Sequence, residues 1–230
     1  MQFKVDKSKV FVVVPSYNEG PVIIDTLQTL LKTGYQIILV DDGSTDETAT
    51  LAQSQPIYYI QHKVNLGQGA ALQSGMQYAL ELAAEIVVHF DADGQHQIDD
   101  LEKLIDPILH NKTDIALGTR FRKSSSHVPF SKKILLRLGI LLNGILTGIW
   151  LSDAHNGLRA MNKTALSAIQ LRVNGMAHAS EILMEIKKHK LRFIEVPVKI
   201  QYTAYSTDKG QSIWNSLHIL TDLLVRKFLS

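Results

Sequence analysis

The sequence predicts a single α/β domain built on a largely parallel sheet with crossover helices. Short apolar runs typical of buried strands alternate with runs of helical length and spacing, which is the pattern of successive β–α–β units. The chain has 230 residues, of which 45% are hydrophobic and 20% charged, and this composition suits one packed core. No repeat or linker divides the sequence, so we expect residues 1–230 to form one domain.

Charge and cysteine content exclude several classes of protein. The formal net charge of +2 is too small to indicate a nucleic-acid partner. The absence of cysteine excludes disulfides and thiolate metal sites, and it fits a reducing compartment. The apolar run near the N-terminus is too short for the core of a signal peptide, so we expect a cytoplasmic location.

The expected elements follow from runs of apolar residues and their spacing. Strands are predicted at residues 10–14, 36–40, 57–61, 85–90 and 114–117, with a further strand within 193–200. Helices are predicted at residues 21–32, 46–53, 69–83 and 98–110, near 179–189, and at the C-terminus over 211–230, where an amphipathic pattern recurs. Pro21 suits the first turn of its helix.

Residues 87–100, VVHFDADGQHQIDD, end a predicted strand with two carboxylates. In an extended backbone, Asp91 and Asp93 would point to the same side and repel each other unless a cation lay between them. Carboxylate oxygens suit Mg²⁺ or Mn²⁺. The alternative is a pair of solvated carboxylates that cap the next helix. We expect His89 to be structural, with its hydrogen bonds satisfied, while His96 fits either role.

Two other predicted strands bring acidic groups to the same edge of the sheet, where ligands of open α/β sheets bind. PSYNEG carries Glu19 after the first strand, and VDDGSTDET carries Asp42 after the second. Asp42 could accept hydrogen bonds from a base or a ribose. The alternative is an ordinary turn in which Ser44 or Thr45 caps the following helix.

NLGQGAALQSG is a glycine-rich stretch that does not fit a dinucleotide-binding motif. The third glycine of that motif is replaced by Leu72, and the stretch does not follow the first strand. Its glycines are better explained by a tight turn into a helix that packs on the sheet.

The second half of the chain supplies cationic and polar candidates. Arg120 follows the predicted strand at 114–117, and Lys209 lies in a glycine-containing loop where an ammonium could meet a diphosphate. The polar turn SDAHNGLRA adds three more candidates: Asp153, His155 and Arg159.

Residues 121–151 combine a basic loop with an apolar segment. The Ser-rich stretch RKSSSHVPFSKK is typical of a mobile loop, and residues 134–151 that follow are mostly apolar. Arg137, Asn143 and three glycines weaken this segment as a membrane span. A buried helix or one lying at the membrane interface fits better.

Six motifs follow one another along the chain, in this order: VVVPSYNEG, LVDDGSTDET, NLGQGAAL, DADGQH, GTR and DAHNGLRAM. Through these motifs the chain resembles glycosyltransferase family 2 over nearly its whole length. They are most similar to its dolichol- or polyprenyl-phosphate sugar synthase branch. The resemblance implies the GT-A fold, with one nucleotide-binding α/β domain and a mostly parallel mixed sheet flanked by helices. It also implies inverting transfer from a nucleotide-diphosphate sugar.

The resemblance assigns roles to matching residues of this chain. The nucleotide-sugar pocket would be formed by Pro15, Tyr17, Glu19, Val40, Asp42, Asp91, Ala92, Asp93 and Gln95. The metal, Mg²⁺ or Mn²⁺, would be held by Asp91, Asp93 and Gln95. Arg120 would face the sugar or the acceptor phosphate, and Lys209 the diphosphate. Dolichol-phosphate mannose synthases commonly have an arginine six residues before that lysine, whereas this chain has Thr203, which disfavours GDP-mannose as donor.

The expected reaction moves a sugar from a UDP- or GDP-sugar to a polyprenyl or dolichyl phosphate. A phosphate is already an anion and needs no general base, whereas a sugar hydroxyl, the alternative acceptor, would need one, with Asp153 as the candidate. A non-catalytic nucleotide-sugar-binding subunit is a third alternative, which Asp42, Asp91 and Asp93 disfavour.

A lipid-phosphate acceptor would require contact with the membrane. Residues 134–151, with Arg122, Lys123, Lys132 and Lys133 before them, have the basic and apolar character of an interfacial element. We expect peripheral attachment at the cytoplasmic face, with a small membrane-embedded partner protein as a further expectation. The alternative is that this segment packs into the domain or into a homodimer interface.

Overall fold

The computed structural model describes residues 6–121, 140–141, 144–145, 147–153 and 156–201. Within these residues, seven strands form one sheet: β1 (Val10–Ser16), β2 (Gln36–Asp41), β3 (Tyr58–Gln61), β4 (Ile86–His89), β5 (Ile115–Thr119), β6 (Arg159–Asn162) and β7 (Phe193–Pro197). Their spatial order is β3-β2-β1-β4-β6-β5-β7.

Helices connect the strands and cover both faces of the sheet. A short 3₁₀ turn (Lys7–Lys9) precedes β1, and the described helices are α1 (Gly20–Leu31), α2 (Thr48–Gln53), α3 (Gln68–Glu81), α4 (Asp99–Leu109), α5 (Lys163–Ala168) and α6 (His178–Lys188). Pro21 lies in the first turn of α1, as expected, where the missing amide hydrogen costs nothing.

The sheet is parallel except for one strand. β1 pairs in parallel with β2 and β4, β2 with β3, and β5 with β7, whereas β6 lies antiparallel between β4 and β5. The carboxyl ends of the six parallel strands therefore meet at one edge, and β6 begins there. We call this the carboxyl edge.

The predicted mostly parallel mixed α/β sheet is confirmed, and each predicted strand matches an observed one within a few residues. Residues 159–160 were predicted to belong to a polar turn, which is wrong, because they begin β6. Four residues with polar ends are too short to give a recognisable strand pattern, so β6 is specified by its neighbours.

Alternate residues of β1 serve the two halves of the core. Val10, Val12 and Val14 pack with the apolar stripes of α1 and α4, and Phe11 and Val13 pack with those of α3, α5 and α6. This two-sided burial explains why β1 is apolar throughout.

The glycine-rich stretch allows α3 to approach the sheet closely, as predicted. A Cβ on Gly75 would collide with Val13 of β1, and a Cβ on Gly69 would collide with the carbonyl of Val173. Gly67, just before the helix, has φ of 106°, a conformation that side chains other than glycine rarely adopt. These contacts fix the N-terminus of α3 at the carboxyl edge.

Several predictions concern residues outside the described part of the chain. They are the basic loop, most of the 134–151 segment, His155, Thr203, Lys209 and the helix at 211–230. Among the described residues, no helix combines the length and apolar character needed to cross a membrane.

Candidate active site

The loops after β1 and β2 hold each other at the carboxyl edge. The amides of Asn18, Glu19 and Gly20 donate to side chains of the second loop, at 2.9 Å to Ser44 Oγ, 2.8 Å to Thr48 Oγ1 and 3.0 Å to Asp46 Oδ2, respectively. The alternative prediction that Ser44 or Thr45 caps α2 is wrong, because Asp46 Oδ1 accepts the amide of Thr48 at 3.0 Å. The Ser44 hydroxyl instead fixes the first loop.

The predicted nucleoside-pocket residues are brought together at this edge. Pro15 and Val40 are direct register partners in β1 and β2, and both are buried. Tyr17 follows β1 with 40% of its surface exposed, while Glu19 is buried at the start of α1. Pro15 and Val40 are therefore covered by other residues, whereas Tyr17 offers an exposed aromatic ring on which a base could stack.

Asp42 is buried, and both of its carboxylate oxygens accept hydrogen bonds from the protein. His62 Nδ1 lies 2.7 Å from Oδ1, and the amides of Leu66 and Gly67 donate to Oδ1 at 3.0 Å and to Oδ2 at 2.6 Å, respectively. The Asp42 carboxylate therefore organises residues 62–67, the loop that leads into α3. Its contact with a base or ribose stays a prediction.

Asp91 lies beyond the end of β4 and is held at both oxygens. Gln68 Nε2, at the start of α3, donates to Oδ1 at 2.8 Å, and His96 Nε2 lies 3.1 Å from Oδ2. Gly157 packs against the carboxylate so closely that a Cβ there would collide with Oδ2. The side chain is still 27% exposed, so one side of it faces the edge.

Asp93 lies in a turn that the sequence argument did not anticipate. β4 ends at His89, so Asp91 and Asp93 are not paired by an extended backbone, and that part of the prediction is wrong. Gly94, with φ of 72°, closes the turn, and the amide of Gln95 donates to Asp93 Oδ1 at 3.0 Å. Ala92, between the aspartates, is buried and its carbonyl accepts from Thr26 Oγ1.

The two aspartates have opposite electrostatic environments. Burial raises the pKa of Asp91, but the hydrogen bond and charge of His96 and the charge of Arg159 outweigh it, so the net direction is downward. Burial and the charges of Asp91 and Glu19 raise the pKa of Asp93 to about 6. Asp93 therefore carries the carboxylate that a cation would stabilise most.

The donor set at this turn fits a hard divalent cation. Two carboxylates and the half-buried Gln95 offer oxygen ligands of the kind that Mg²⁺ and Mn²⁺ prefer. Among the described residues, no three His, Asp or Glu side chains are already gathered around one point. Such a cation would need further oxygen ligands, which the phosphates of a bound nucleotide can supply.

Arg120 and Asp153, both predicted to be catalytic, contact each other. Arg120 follows β5, and its Nε atom donates to Asp153 Oδ2 at 2.6 Å, while its amide donates to the same oxygen at 3.1 Å. The neighbouring Ser152 is anchored through its amide and hydroxyl to Glu195 of β7, at 2.7 and 2.6 Å, respectively. The ion pair is thus fixed on the β5–β7 side of the carboxyl edge.

A buried cluster of basic side chains lies behind Asp91. Burial lowers the pKa of His89 to about 3, of His178 to about 4 and of Arg159 to about 10. Both ring nitrogens of His89 are buried without a hydrogen-bond partner in the described residues. The expectation that the hydrogen bonds of His89 are satisfied is therefore wrong.

Sequence reasoning missed two side chains of this site and left a third unresolved. His62 and Gln68 were not singled out, since nothing in their local sequence reveals that the 62–68 loop joins Asp42 to Asp91. The role of His96 was left open, and the structure places it on Asp91. His62 and Gln68 reach Asp42 and Asp91 from 20 and 23 residues away, respectively, so only the fold brings them into the site.

The model of the family named glycosyl transferase family 2 matches residues 11–170, more than half of the chain and all three acidic loops of the carboxyl edge. The chain belongs to this family. The predicted resemblance and enzyme class are thereby confirmed.

Similar proteins agree with this assignment. This glycosyltransferase is 36% identical to an uncharacterized protein of Methanocaldococcus jannaschii over 97% of this chain and 94% of the relative. It is 34% identical to the UDP-N-acetylglucosamine–dolichyl-phosphate N-acetylglucosaminyltransferase of Methanococcus voltae, over 95% of this chain and 96% of the relative.

A solved structure shares the fold of this glycosyltransferase. Glucosyl-3-phosphoglycerate synthase from Mycobacterium tuberculosis, crystallised with Mn²⁺, UDP and glucosyl-3-phosphoglycerate, superposes with a TM-score of 0.72 at 17% identity. The match covers 94% of this chain and 77% of that one. The GT-A fold implied by the resemblance is confirmed.

Proposed function

We propose that this glycosyltransferase moves a sugar from a UDP-sugar to a polyprenyl or dolichyl phosphate, with inversion and with the help of Mg²⁺ or Mn²⁺. The observation that carries the proposal is that Asp91 and Asp93 lie in one turn at the carboxyl edge, next to the loops that follow β1 and β2. The Methanococcus voltae relative, whose name gives UDP-N-acetylglucosamine and dolichyl phosphate, supports this donor and this acceptor. Thr203, in place of an arginine, further disfavours GDP-mannose.

The leaving group in this reaction is a nucleoside diphosphate, so negative charge builds on its phosphates. A cation held by Asp93, Asp91 and Gln95 supplies the stabilising charge when it is bound. The protein itself fixes Asp91 through Gln68 and His96, and Asp93 through the amide of Gln95, so little reorganisation accompanies the reaction. Lys209 would add a second positive charge at the diphosphate.

The acceptor phosphate would bind on the Arg120 side of the edge. Asp153 accepts hydrogen bonds from the Nε atom and the amide of Arg120, which fixes the orientation of the guanidinium. Attack of a phosphate oxygen on the anomeric carbon breaks the bond to the diphosphate in one displacement, which inverts the configuration. No proton has to be removed from the attacking oxygen, so this step needs no general base.

A sugar-hydroxyl acceptor is the second candidate, and the environment of Asp153 disfavours it. A general base must reach the hydroxyl that it deprotonates, but the Asp153 side chain is 1% exposed and paired with Arg120. We therefore assign Asp153 to positioning Arg120.

Contact with a lipid acceptor would place the protein peripherally at the cytoplasmic face of the membrane. In the described part of the 134–151 segment, Leu141 and Ile145 lie one helical turn apart and are largely exposed, and Trp150 is 63% exposed. Its ring packs over Gly144 of the same segment. An exposed aliphatic pair beside a tryptophan is typical of a surface that lies in the headgroup region of a membrane. A small membrane-embedded partner protein would strengthen that attachment.

The donor and acceptor can be tested in one experiment. The purified protein would be incubated with Mn²⁺ or Mg²⁺ and a panel of UDP- and GDP-sugars, with and without a short polyprenyl phosphate, and the lipid product identified by mass spectrometry. We expect a polyprenyl-phosphate sugar from a UDP-sugar, with UDP-N-acetylglucosamine the first to examine. Transfer to a free sugar hydroxyl but not to the lipid phosphate would contradict the proposed acceptor, and product from GDP-sugars alone would contradict the proposed donor.

A further inference from the structure

Arg159 is a buried arginine at the start of the antiparallel strand β6. It pairs in register with His89 of β4 on one side and with Leu117 of β5 on the other. Only 4% of its surface is exposed. Its guanidinium lies within electrostatic range of two carboxylates. They belong to Asp91, at the start of the turn that contains Asp93, and to Asp153, in the pair with Arg120.

One nitrogen of the Arg159 guanidinium lacks a hydrogen-bond partner in the part of the chain that the structure describes. Its Nη1 atom is buried and has no partner among the described residues, and the same holds for Asn156 Nδ2 nearby in sequence and for both ring nitrogens of His89. Nearly all buried polar groups in folded proteins are paired, and a buried donor left without a hydrogen-bond partner destabilises the fold. A charge kept under these conditions points to a functional use.

The charges around Arg159 indicate what that use is. Asp91, Asp93 and Glu19 bring three carboxyl groups to the carboxyl edge, and like charges gathered there repel one another. Gly157 packs against the Asp91 carboxylate. Arg159 follows two residues later, in register with the last residue of β4. This geometry places a permanently charged guanidinium beside Asp91, within the sheet.

We propose that Arg159 is a built-in countercharge for Asp91, which stabilises the acidic turn while no metal is bound and makes cation binding depend on the incoming nucleotide diphosphate. Arg159 acts through Asp91, so it is a positioning residue. The inference rests on the proposed metal-dependent function, because it concerns the same site.

Two physical consequences follow from such a countercharge. A fixed positive charge near the turn repels a free divalent cation and weakens its affinity for the protein alone. A nucleotide diphosphate reverses this balance, because its negative charges and phosphate oxygens supply both attraction and the ligands that the described residues do not assemble by themselves. The affinity of these residues for a cation would therefore be higher with a nucleotide diphosphate bound than without it.

The test is the affinity for Mn²⁺ alone, measured by electron paramagnetic resonance of the free ion, in wild type and in Arg159→Met. Removing the buried charge should tighten Mn²⁺ binding in the absence of nucleotide by about tenfold or more, since the repulsion acts at short range in a buried site. The gain in affinity that UDP produces should shrink accordingly. Mn²⁺ alone should also raise the Tm of Arg159→Met more than that of wild type.

Matched variants keep the test decisive. Arg192→Met removes an exposed arginine at the opposite edge of the sheet and should leave Mn²⁺ affinity unchanged. Arg159→Lys keeps the charge and should resemble wild type. If Arg159→Met does not fold, Arg159→Gln makes the same change in charge. Tight binding of Mn²⁺ by wild type without nucleotide would overturn the inference without any variant.

The outcomes also separate this inference from the proposed function. Equal or weaker Mn²⁺ binding by folded Arg159→Met, in a protein that still transfers sugar with Mn²⁺, would overturn the countercharge alone. Absence of sugar transfer with any donor would overturn the proposed function. The comparison of Mn²⁺ affinities needs neither nucleotide nor enzymatic activity. It therefore tests the role of Arg159 whether or not sugar transfer is observed.

Discussion

Arg120 and Asp153 form a nearly buried ion pair, in which the Nε atom of Arg120 lies 2.6 Å from Oδ2 of Asp153. The two side chains are 9% and 1% exposed, respectively, so solvent screens the pair only weakly. The pair places Arg120 just beyond β5, at the same edge as Asp91 and Asp93. The sequence predicted Asp153 only as the base for a sugar-hydroxyl acceptor, and this ion pair supports a different role, the positioning of Arg120.

Replacing Asp153 by Asn tests whether this residue positions Arg120 or acts as a base. We expect a fall in the rate of transfer to lipid phosphate of about 10- to 100-fold, because Arg120 loses the partner that orients it. The acidic limb of the pH–rate profile should remain, since no base is removed. Loss of that limb, with activity restored at high pH, would instead identify Asp153 as the base.

A double-mutant cycle gives the matched control for this pair. Arg120→Lys and Asp153→Asn should each slow transfer, and their combination should cost much less than the product of the two effects, because both remove one interaction. Independent, multiplicative effects would show that the two residues serve separate steps.

Replacing Asp93 by Asn tests the metal assignment. The carboxylate charge at the centre of the proposed site is lost while the shape is kept, so sugar transfer should fall by about 100-fold or more even in saturating Mn²⁺ or Mg²⁺. Asp99→Asn, at the exposed first turn of α4, is the control and should change little. Transfer by Asp93→Asn at the wild-type rate would refute the metal site.

Replacing Gln68 tests whether its hydrogen bond to Asp91, made from the end of the loop that Asp42 holds, contributes to metal binding. Gln68→Ala removes the donor to Asp91 Oδ1 and should weaken Mn²⁺–UDP binding by about tenfold, the usual effect of losing a partner of a metal ligand. Gln77→Ala, on an exposed turn of the same helix α3, should bind as wild type does. Calorimetric titration with Mn²⁺ and UDP measures both variants, and equal affinities would argue against a role for Gln68.

Asp114 and Arg192 form an ion pair at the edge of the sheet opposite the carboxyl edge. We expect this pair to make part of the free energy of unfolding depend on pH. Hydrogen bonds from Arg192 lower the pKa of Asp114 to about 2, so the folded state binds a proton less readily than the unfolded state. This contribution is complete above about pH 4 and is lost as the pH falls towards 2. Asp114→Asn should therefore reduce the free energy of unfolding by about 1 kcal/mol at neutral pH, since solvent screens the pair, and the difference should shrink below about pH 4.

Urea unfolding from pH 7 to pH 3 measures that difference. Asp25→Asn, on the exposed face of α1, provides the control without such a pair. A difference between Asp114→Asn and wild type that stays constant down to pH 3 would exclude an electrostatic origin. Sugar transfer at neutral pH should be unaffected, because the pair lies far from the carboxyl edge.

Membrane contact can be tested by changing the exposed apolar surface formed by Leu141, Ile145 and Trp150. Trp150→Ala combined with Ile145→Ser should reduce co-sedimentation with anionic liposomes, because both changes remove exposed apolar area. Phe193→Ser, which removes a partly exposed ring at the start of β7, is the control for a general change in surface hydrophobicity. Equal sedimentation of all three proteins would contradict a membrane-contact surface at these residues.

Much of the fold could be predicted from local sequence because its signals are local. The continuous apolar run of β1, the helical stripe of α1 and the glycines before α3 each specify an element through burial or backbone freedom. β6 could not be predicted, because its four residues carry no period and form a strand only between β4 and β5. Because β6 runs antiparallel to both neighbours, the sheet is mixed rather than fully parallel.

The sequence predicted which residue types form the candidate site and at which edge of the sheet they lie. It did not predict the contacts between them. Acidic residues after three parallel strands place Glu19, Asp42 and Asp91 together, since the carboxyl ends of such strands meet. The sequence could not reveal that Asp91 and Asp93 are separated by a turn, or that Asp42 is held by its own loop.

The sequence by itself determined the family, the parallel core and the identity of the acidic side chains, because motif order and hydrophobic pattern are properties of the chain. Only the tertiary structure decided how those charges are balanced. Gln68 and Arg159 lie far from Asp91 in the sequence, and each affects Asp91 only after α3, β4 and β6 have packed at one edge. His96 lies five residues from Asp91, and the turn between them brings its ring to the carboxylate. Electrostatic interactions depend on distance and burial, and neither can be read from the order of residues.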